Sequence, residues 1–221
     1  MKDRLQQIHE AIERYKTVPE VRLVAVTKTA SPAQMIEAYQ LGIRDFGENK
    51  PQAALEKMAA LPPEIASAVN WHLIGHLQAN KVNKVVGKFD WIHSVDSLPL
   101  AKKIASRAQT LGLQQKVLLQ VNLVPEAGDS RSGFSELTLR QSIAEIIRLE
   151  GLLVCGLMTM APNTRDEASV HSVFCRLRLL RDDRSVANDF PLPELSMGMS
   201  QDFVHALQNG ATIIRLGSYI F

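Results

Sequence analysis

The residues best suited to chemistry are one lysine, two serine–glycine loops and an arginine. Lys28 closes the run VRLVAVTK, where Val21, Leu23, Val24, Ala25 and Val26 form a β-branched, nearly continuous apolar stretch. Such a run is expected of a strand buried on both faces. An ammonium group at its end either snorkels into solvent or is delivered to a site. Farther along, Ser196-Met197-Gly198-Met199-Ser200 follows another apolar run and leads into a helical stretch, Gln201–Gln208. Gly198 lets the backbone approach a ligand closely, the serines offer hydroxyls, and a helix start offers free N–H groups. After the last apolar run, Arg215-Leu216-Gly217-Ser218 again sets a glycine beside a hydroxyl. Alone, each loop reads equally well as a helix cap or a turn. Together they favour a phosphate. A lysine facing a phosphate cradle suits two chemistries: Schiff-base aldol chemistry on a sugar phosphate, or pyridoxal 5′-phosphate (PLP) held as an internal aldimine. Desolvation in an apolar wall frees a lysine amine for attack on a carbonyl in either case.

The elements that must position these groups follow from the hydropathy pattern. Short apolar runs at 21–27, 43–47, 71–75, 91–95, 116–122, 152–160, 194–197 and 212–217 alternate with helical stretches. One stretch carries Ile36, Ala38 and Tyr39; another, 135–149, sets Leu139, Ile143, Ile146 and Ile147 on one face. Strands alternating with helices imply right-handed βαβ units and a parallel sheet. Eight of them in this length predict a closed (β/α)8 barrel, with Leu5, Ile8, Ile12 and Tyr15 marking an additional N-terminal helix that completes the outer ring. No GxGxxG follows the first run, which disfavours a doubly wound open sheet. With no linker, repeat or low-complexity tract, a single domain spanning residues 1–221 is expected. In such barrels chemistry sits at the C-terminal ends of the strands, and phosphate sites use the loops after strands seven and eight. Lys28, Glu48, Asn49, His76, Gln78, Asp96, Asn122 and Thr159 all follow apolar runs and join the two loops in that ring.

Totals narrow the function further. Of 221 residues 46% are apolar, and the formal charge of +2 is too balanced for nucleic acid to be a main partner. No apolar run is long enough to span a membrane, and the N-terminus lacks a signal peptide's apolar stretch. Cys155 and Cys175 form no metal pattern and suit a reducing compartment. A cytoplasmic protein without a metal is expected. Lys81, Lys84 and Lys88, and the basic run Arg176 to Arg184, read as solvated helix faces.

The segments AVTK at 25–28, FGEN at 46–49, WHLIGHLQANK at 71–81, GLMTM at 156–160, LSMGMSQD at 195–202 and IRLGSYIF at 214–221 occur in the order seen in one known family. The chain resembles the YggS/PROSC family of PLP homeostasis (PLP-binding) proteins along essentially its whole length. The resemblance implies the barrel of the alanine racemase N-terminal-domain type without a second domain. It implies PLP on Lys28, with Ser196, Gly198, Ser200, Gly217 and Ser218 holding the phosphate and Met199 among the cofactor-binding residues. Arg215 would face the pyridine nitrogen, Asn49 the 3-oxygen side, and Met158 the ring; plain barrel core describes Met158 equally well. The family usually runs on past IF with a glycine and a basic residue, whereas this sequence ends at Phe221.

An arginine at the pyridine nitrogen donates a hydrogen bond and keeps that nitrogen unprotonated, which weakens the ring as an electron sink. Proton transfer at Cα also needs groups on both faces of the cofactor. Eight βα units use the chain fully, and Tyr15, Tyr39 and Tyr219 offer no evident second acid or base. A PLP carrier acting in vitamin B6 and amino-acid homeostasis is therefore expected, with no catalytic residue assigned and PLP-dependent apoenzymes as possible recipients. The alternatives are a small amino-acid racemase and, more weakly, the aldolase. Without a second domain the usual reason to dimerise is gone, so a monomer is expected.

Overall fold

The apolar runs form eight parallel strands that close into a barrel in chain order. They are β1 (Arg22–Val26), β2 (Asp45–Glu48), β3 (Asn70–Leu73), β4 (Trp91–Val95), β5 (Gln115–Gln120), β6 (Leu152–Met158), β7 (Glu194–Ser196) and β8 (Ile213–Leu216). The computed structural model describes residues 1–124, 132–164, 166–183 and 190–221; Arg184 of the basic run lies outside them. Closure is made by β1 against β8, with Arg22 opposite Ile213 and Ala25 opposite Leu216. The (β/α)8 barrel expected from the sequence is the fold.

Among the described residues the outer layer consists of α1 (Lys2–Tyr15), α2 (Pro32–Gln40), α3 (Pro51–Ala60), α4 (Pro63–Ala68), α5 (Leu98–Thr110), α6 (Glu136–Ile147), α7 (Glu167–Asp182) and α8 (Phe203–Gln208). Local signals set their starts. Ser31 accepts from the Gln34 N–H while the Gln34 side chain accepts from the Ser31 N–H, and Pro32 sits where a missing N–H does no harm. The Ser135 and Asp166 side chains cap α6 and α7 in the same spirit. α1 buries Leu5, Ile8 and Ile12 and packs beside α8, where Thr17 Oγ1 donates to the Leu207 carbonyl at 3.2 Å. The N-terminal helix thus fills the gap that β8 leaves in the ring.

Two connections differ from a simple strand–helix alternation. Between β2 and β3 the pair Pro62-Pro63 splits one helix into two, because proline cannot continue the hydrogen-bond ladder. Between β3 and β4 there is only a short 3₁₀ helix, Ala79–Lys84, so exposed Lys81 and Lys84 lie on that tighter turn and not on an α-helix.

Period-two alternation divides the barrel side chains into two cores. Outward residues such as Leu23, Ala25, Phe46, Leu73, Ile92, Leu119, Leu195 and Ile214 join one large aliphatic layer against the helices. Inward residues Val24, Trp91, Leu118, Cys155, Met158 and Ile213 form a separate cluster in the lumen. The rest of the lumen is polar: His72, His93, Ser196 and Arg215 are all buried there.

Candidate functional site

Strand register brings Lys28 to the loops. Val26 lies opposite Gly47 on β2 and Ala25 opposite Leu216 on β8. Continuing both registers beyond the strands sets Thr27 between Glu48 and Ser218, and Lys28 beside Asn49 on one side and just past the Gly217-Ser218 pair on the other. Lys28 is exposed, and no hydrogen bond or ion pair engages its amine among the described residues. Its backbone is nonetheless pinned. Thr27, fully buried, donates its N–H to the Gly47 carbonyl at 2.9 Å and its Oγ1 hydrogen to Glu48 Oε1 at 2.6 Å. Lys57 Nζ reaches in from α3, donating to the Thr27 carbonyl and pairing with buried Glu48 at 2.7 Å. A mobile amine therefore hangs from a fixed base.

Across the β1–β8 seam, the loop after β7 turns at Gly198, where φ is +93°. An L side chain there would be strained, and a Cβ would also meet the Ala206 Cβ at 2.6 Å. The Gly198 carbonyl accepts from the Arg215 N–H at 2.9 Å, which ties this loop to β8. The Met199 N–H donates to Asp202 Oδ1 at 2.5 Å, and α8 starts only at Phe203, two residues later than its pattern suggests. Burial raises the pKa of Asp202, opposed by the Met199 N–H and the Arg215 charge. Met199 is exposed, and the half-exposed Ser200 hydroxyl has no partner among the described residues. Gly217 lies against β1, where a Cβ would sit 3.3 Å from the Val26 carbonyl, and Ser218 is exposed beside it.

Arg215 is buried on the lumen side of β8, and burial pulls its pKa down to about 10, opposed by the charge on Asp202. Its Nη1 donates to Ser196 Oγ at 2.6 Å and its Nη2 to the Thr159 carbonyl at 3.1 Å. Ser196 corrects the expectation that its hydroxyl serves a phosphate. As the last residue of β7 it points into the lumen, fully buried, with Oγ between Arg215 and His93 Nδ1 at 2.9 Å. Met158 is fully buried in the lumen cluster with Val24, Leu118 and Ile213. Asn49 is exposed at the end of β2, its carbonyl so close to Gly75 that a Cβ there would lie at 2.2 Å. At the same mouth His76 Nδ1 faces Asp96 Oδ2 and Ser132 Oγ, each at 3.1 Å, while Gln78 and Asn80 stand exposed.

The structure thus gathers Lys28, Asn49, Gly198, Met199, Ser200, Gly217 and Ser218 at one mouth and sets Ser196, Met158 and Arg215 in the lumen beneath it. The residues that sequence reading missed are Lys57, His72, His93 and Asp45. Period-two spacing could have flagged both histidines as lumen residues, but pairing them requires the register of β3 on β4. Among the described residues no group of three or more His, Cys, Asp or Glu could hold a metal ion, and no helix is long and apolar enough to cross a membrane.

Comparison with known proteins follows the same geometry. The family described as alanine racemase, N-terminal domain, matches residues 3–221. Over 203 residues the chain is 42% identical to the pyridoxal phosphate homeostasis protein of Synechocystis sp., covering 92% of this chain and 91% of that one. The chain belongs to the alanine racemase N-terminal domain family. Within it, another pyridoxal phosphate homeostasis protein, from Aquifex aeolicus, is 37% identical over 218 residues, covering 98% and 93% of the two chains. The solved structure of PipY from Synechococcus elongatus with PLP bound superposes with a TM-score of 0.88 at 38% identity, covering 100% of this chain and 99% of that one. The resemblance carried by the AVTK, LSMGMSQD and IRLGSYIF segments is therefore a family relationship along the whole chain.

Proposed function

We propose that this chain is a PLP-binding homeostasis protein that holds the cofactor on Lys28 at the C-terminal mouth of the barrel. The observation that carries this reading is an exposed, unpartnered amine whose backbone is fixed in register beside the Gly217-Ser218 turn. The site fits the group. Gly198 and Gly217 let backbone come close to a phosphate, with half-exposed Ser200 and exposed Ser218 close by in sequence. When bound, PLP supplies an aldehyde that joins reversibly to an amine. Lys28 contributes that amine, and the Thr27–Glu48–Lys57 contacts hold its base still. Arg215 has five N–H donors and uses two on Ser196 and Thr159, which leaves donors for a pyridine nitrogen. Because guanidinium stays charged at neutral pH, it keeps such a nitrogen without a proton. Asn49 would lie on the 3-oxygen side, Met158 beneath the ring, and the Met199 backbone beside the phosphate. Ser196 acts through Arg215 and makes no phosphate contact.

A binding and release role for PLP in the cytoplasm, as a monomer of one domain that supplies PLP-dependent apoenzymes, completes the proposal. The relatives' name and the PLP-bound PipY structure support the PLP-binding part of it. The test is an absorbance spectrum after incubation with PLP and gel filtration. Wild type is expected to retain a visible band and Lys28→Ala to lose it. A colourless wild type would overturn the reading, and sustained interconversion of amino-acid enantiomers at ordinary enzymatic rates would favour a racemase instead.

A further inference from the structure

The lumen holds a continuous line of polar side chains, of which the proposed binding site uses only the Arg215 and Ser196 end. It starts at Arg215 on β8, passes through Ser196 on β7, crosses the lumen to His93 on β4, then reaches His72 on β3 and Asp45 at the start of β2. Its lengths are 2.6 Å from Arg215 Nη1 to Ser196 Oγ, 2.9 Å from Ser196 to His93 Nδ1, 2.9 Å from His93 Nε2 to His72 Nδ1, and 2.9 Å from His72 Nε2 to Asp45 Oδ1. Ser196, His72 and His93 are fully buried, so the bonds among them cannot be exchanged for water without opening the barrel, and only Asp45 at the end of the line is partly exposed.

The two ends fix the direction of every hydrogen. Guanidinium can only donate, so Ser196 Oγ accepts from Arg215 and has one hydrogen to give. Passing it to His93 Nδ1 leaves the His93 hydrogen on Nε2. That hydrogen goes to His72 Nδ1, and the His72 Nε2 hydrogen goes to the Asp45 carboxylate, which can only accept. The opposite arrangement needs a hydrogen on His93 Nδ1 and a second one on His72, making a buried imidazolium. Charged groups facing the pair work in both directions: Asp45 and Asp90 favour a cation on His72, while Arg22 opposes it. On His93, the His72, Arg215 and Arg22 charges all oppose a cation. Burial is the largest influence on both rings and favours the neutral forms. The rings are held by packing as well, His72 stacking on Trp91 at 5.8 Å and meeting His93 edge-on at 5.1 Å.

We propose that Asp45, His72 and His93 form with Ser196 a one-way hydrogen-bond chain that holds Arg215 in place for the cofactor ring, which makes the two histidines positioning residues of the site. The inference rests on the PLP-binding reading for its consequence, but not for the chain itself. Long-range ¹H–¹⁵N NMR spectra of the protein without PLP test the chain directly: His72 and His93 are both expected neutral at pH 6 with the hydrogen on Nε2. A hydrogen on His93 Nδ1, or a cationic ring at that pH, would overturn the proposal. In the PLP-loaded protein, His93→Leu should weaken PLP binding by about tenfold or more, as loss of support for one charged hydrogen bond implies, and should shift the visible band or its pH dependence. His93→Gln, which can still accept from Ser196, should restore the wild-type band; equal behaviour of the two variants would contradict a positioning role. Should His93→Leu fail to fold, Ser196→Ala breaks the same chain with little change in volume and is expected to give the same spectral shift. A wild type that takes up no PLP would remove the binding reading while the NMR result still decides the chain.

Discussion

The two ends of the barrel handle charge in opposite ways. At the N-terminal end Arg22 lies 3.7 Å from Asp45 and 3.8 Å from Glu194, and Trp91 is flanked by Arg22 at 4.9 Å and Lys116 at 5.2 Å. Arg22 and Lys116 there each face an opposite charge or an aromatic ring. At the C-terminal end Lys28 stands without a partner among the described residues, at the same mouth as half-exposed Ser200 and exposed Ser218. Both rims are drawn from strand-end residues of the same sheet, so the difference is not one of fold. A rim whose charges are matched contributes stability, and a rim with an unmatched amine is available to a ligand, in keeping with where barrel enzymes place their chemistry.

Substitutions can break that contrast, beginning with the largest effect. Lys28→Ala should abolish the PLP band while changing unfolding free energy by no more than about 0.5 kcal/mol, since no hydrogen bond or ion pair engages the exposed amine among the described residues. A large loss of stability in a urea melt would show that Lys28 belongs to the structural class after all. Lys57→Ala should act the other way. It strands the buried carboxylate of Glu48 and is expected to cost about 3 kcal/mol in the same melt, with weaker PLP binding as Thr27 loosens. Gly198→Ala forces a side chain into a left-handed backbone 2.6 Å from Ala206, at roughly 1–3 kcal/mol, and should lower the affinity for inorganic phosphate measured by calorimetry.

The lumen between the rims predicts a pH dependence. Burial holds the pKa of His72 and His93 below 6.5, so as pH falls the unfolded chain binds protons that the folded one refuses. Stability is therefore full above about pH 6.5 and declines below it, by up to about 2 kcal/mol per histidine at pH 5. Denaturant melts between pH 7 and pH 5 would reveal this, and a flat profile would mean that the rings are charged in the fold. The smallest effect belongs to the paired rim: Arg22→Ala should cost about 1 kcal/mol or less and leave PLP binding unchanged.

How far these features could be read in advance differs by region. β4 matches its apolar run residue for residue because WIHSV is buried throughout and bounded by polar residues. The mouth was legible as well, since a lysine, two glycines and two serines all follow apolar runs at strand ends. The lumen was not. His72 and His93 each look like a lone histidine in a strand, and only the pairing of β3 with β4 makes them neighbours. Ser196 was hard to read for a related reason: its place in a serine–glycine loop suggested a ligand, but the strand includes it and turns its hydroxyl inward, between Arg215 and His93. Lys57 lies in the middle of a helix and gives no signal until α3 docks beside β1 and β2.

The central claim is that Lys28 and the two serine–glycine loops at the same barrel mouth bind one small aldehyde phosphate. Reducing the PLP-loaded protein with borohydride and mapping the adduct by peptide mass spectrometry tests it most directly. The account predicts a single modified residue, Lys28, with labelling suppressed by excess inorganic phosphate and by the Gly198→Ala substitution. An adduct on Lys57, Lys50 or another lysine, with Lys28 left unmodified, would contradict it.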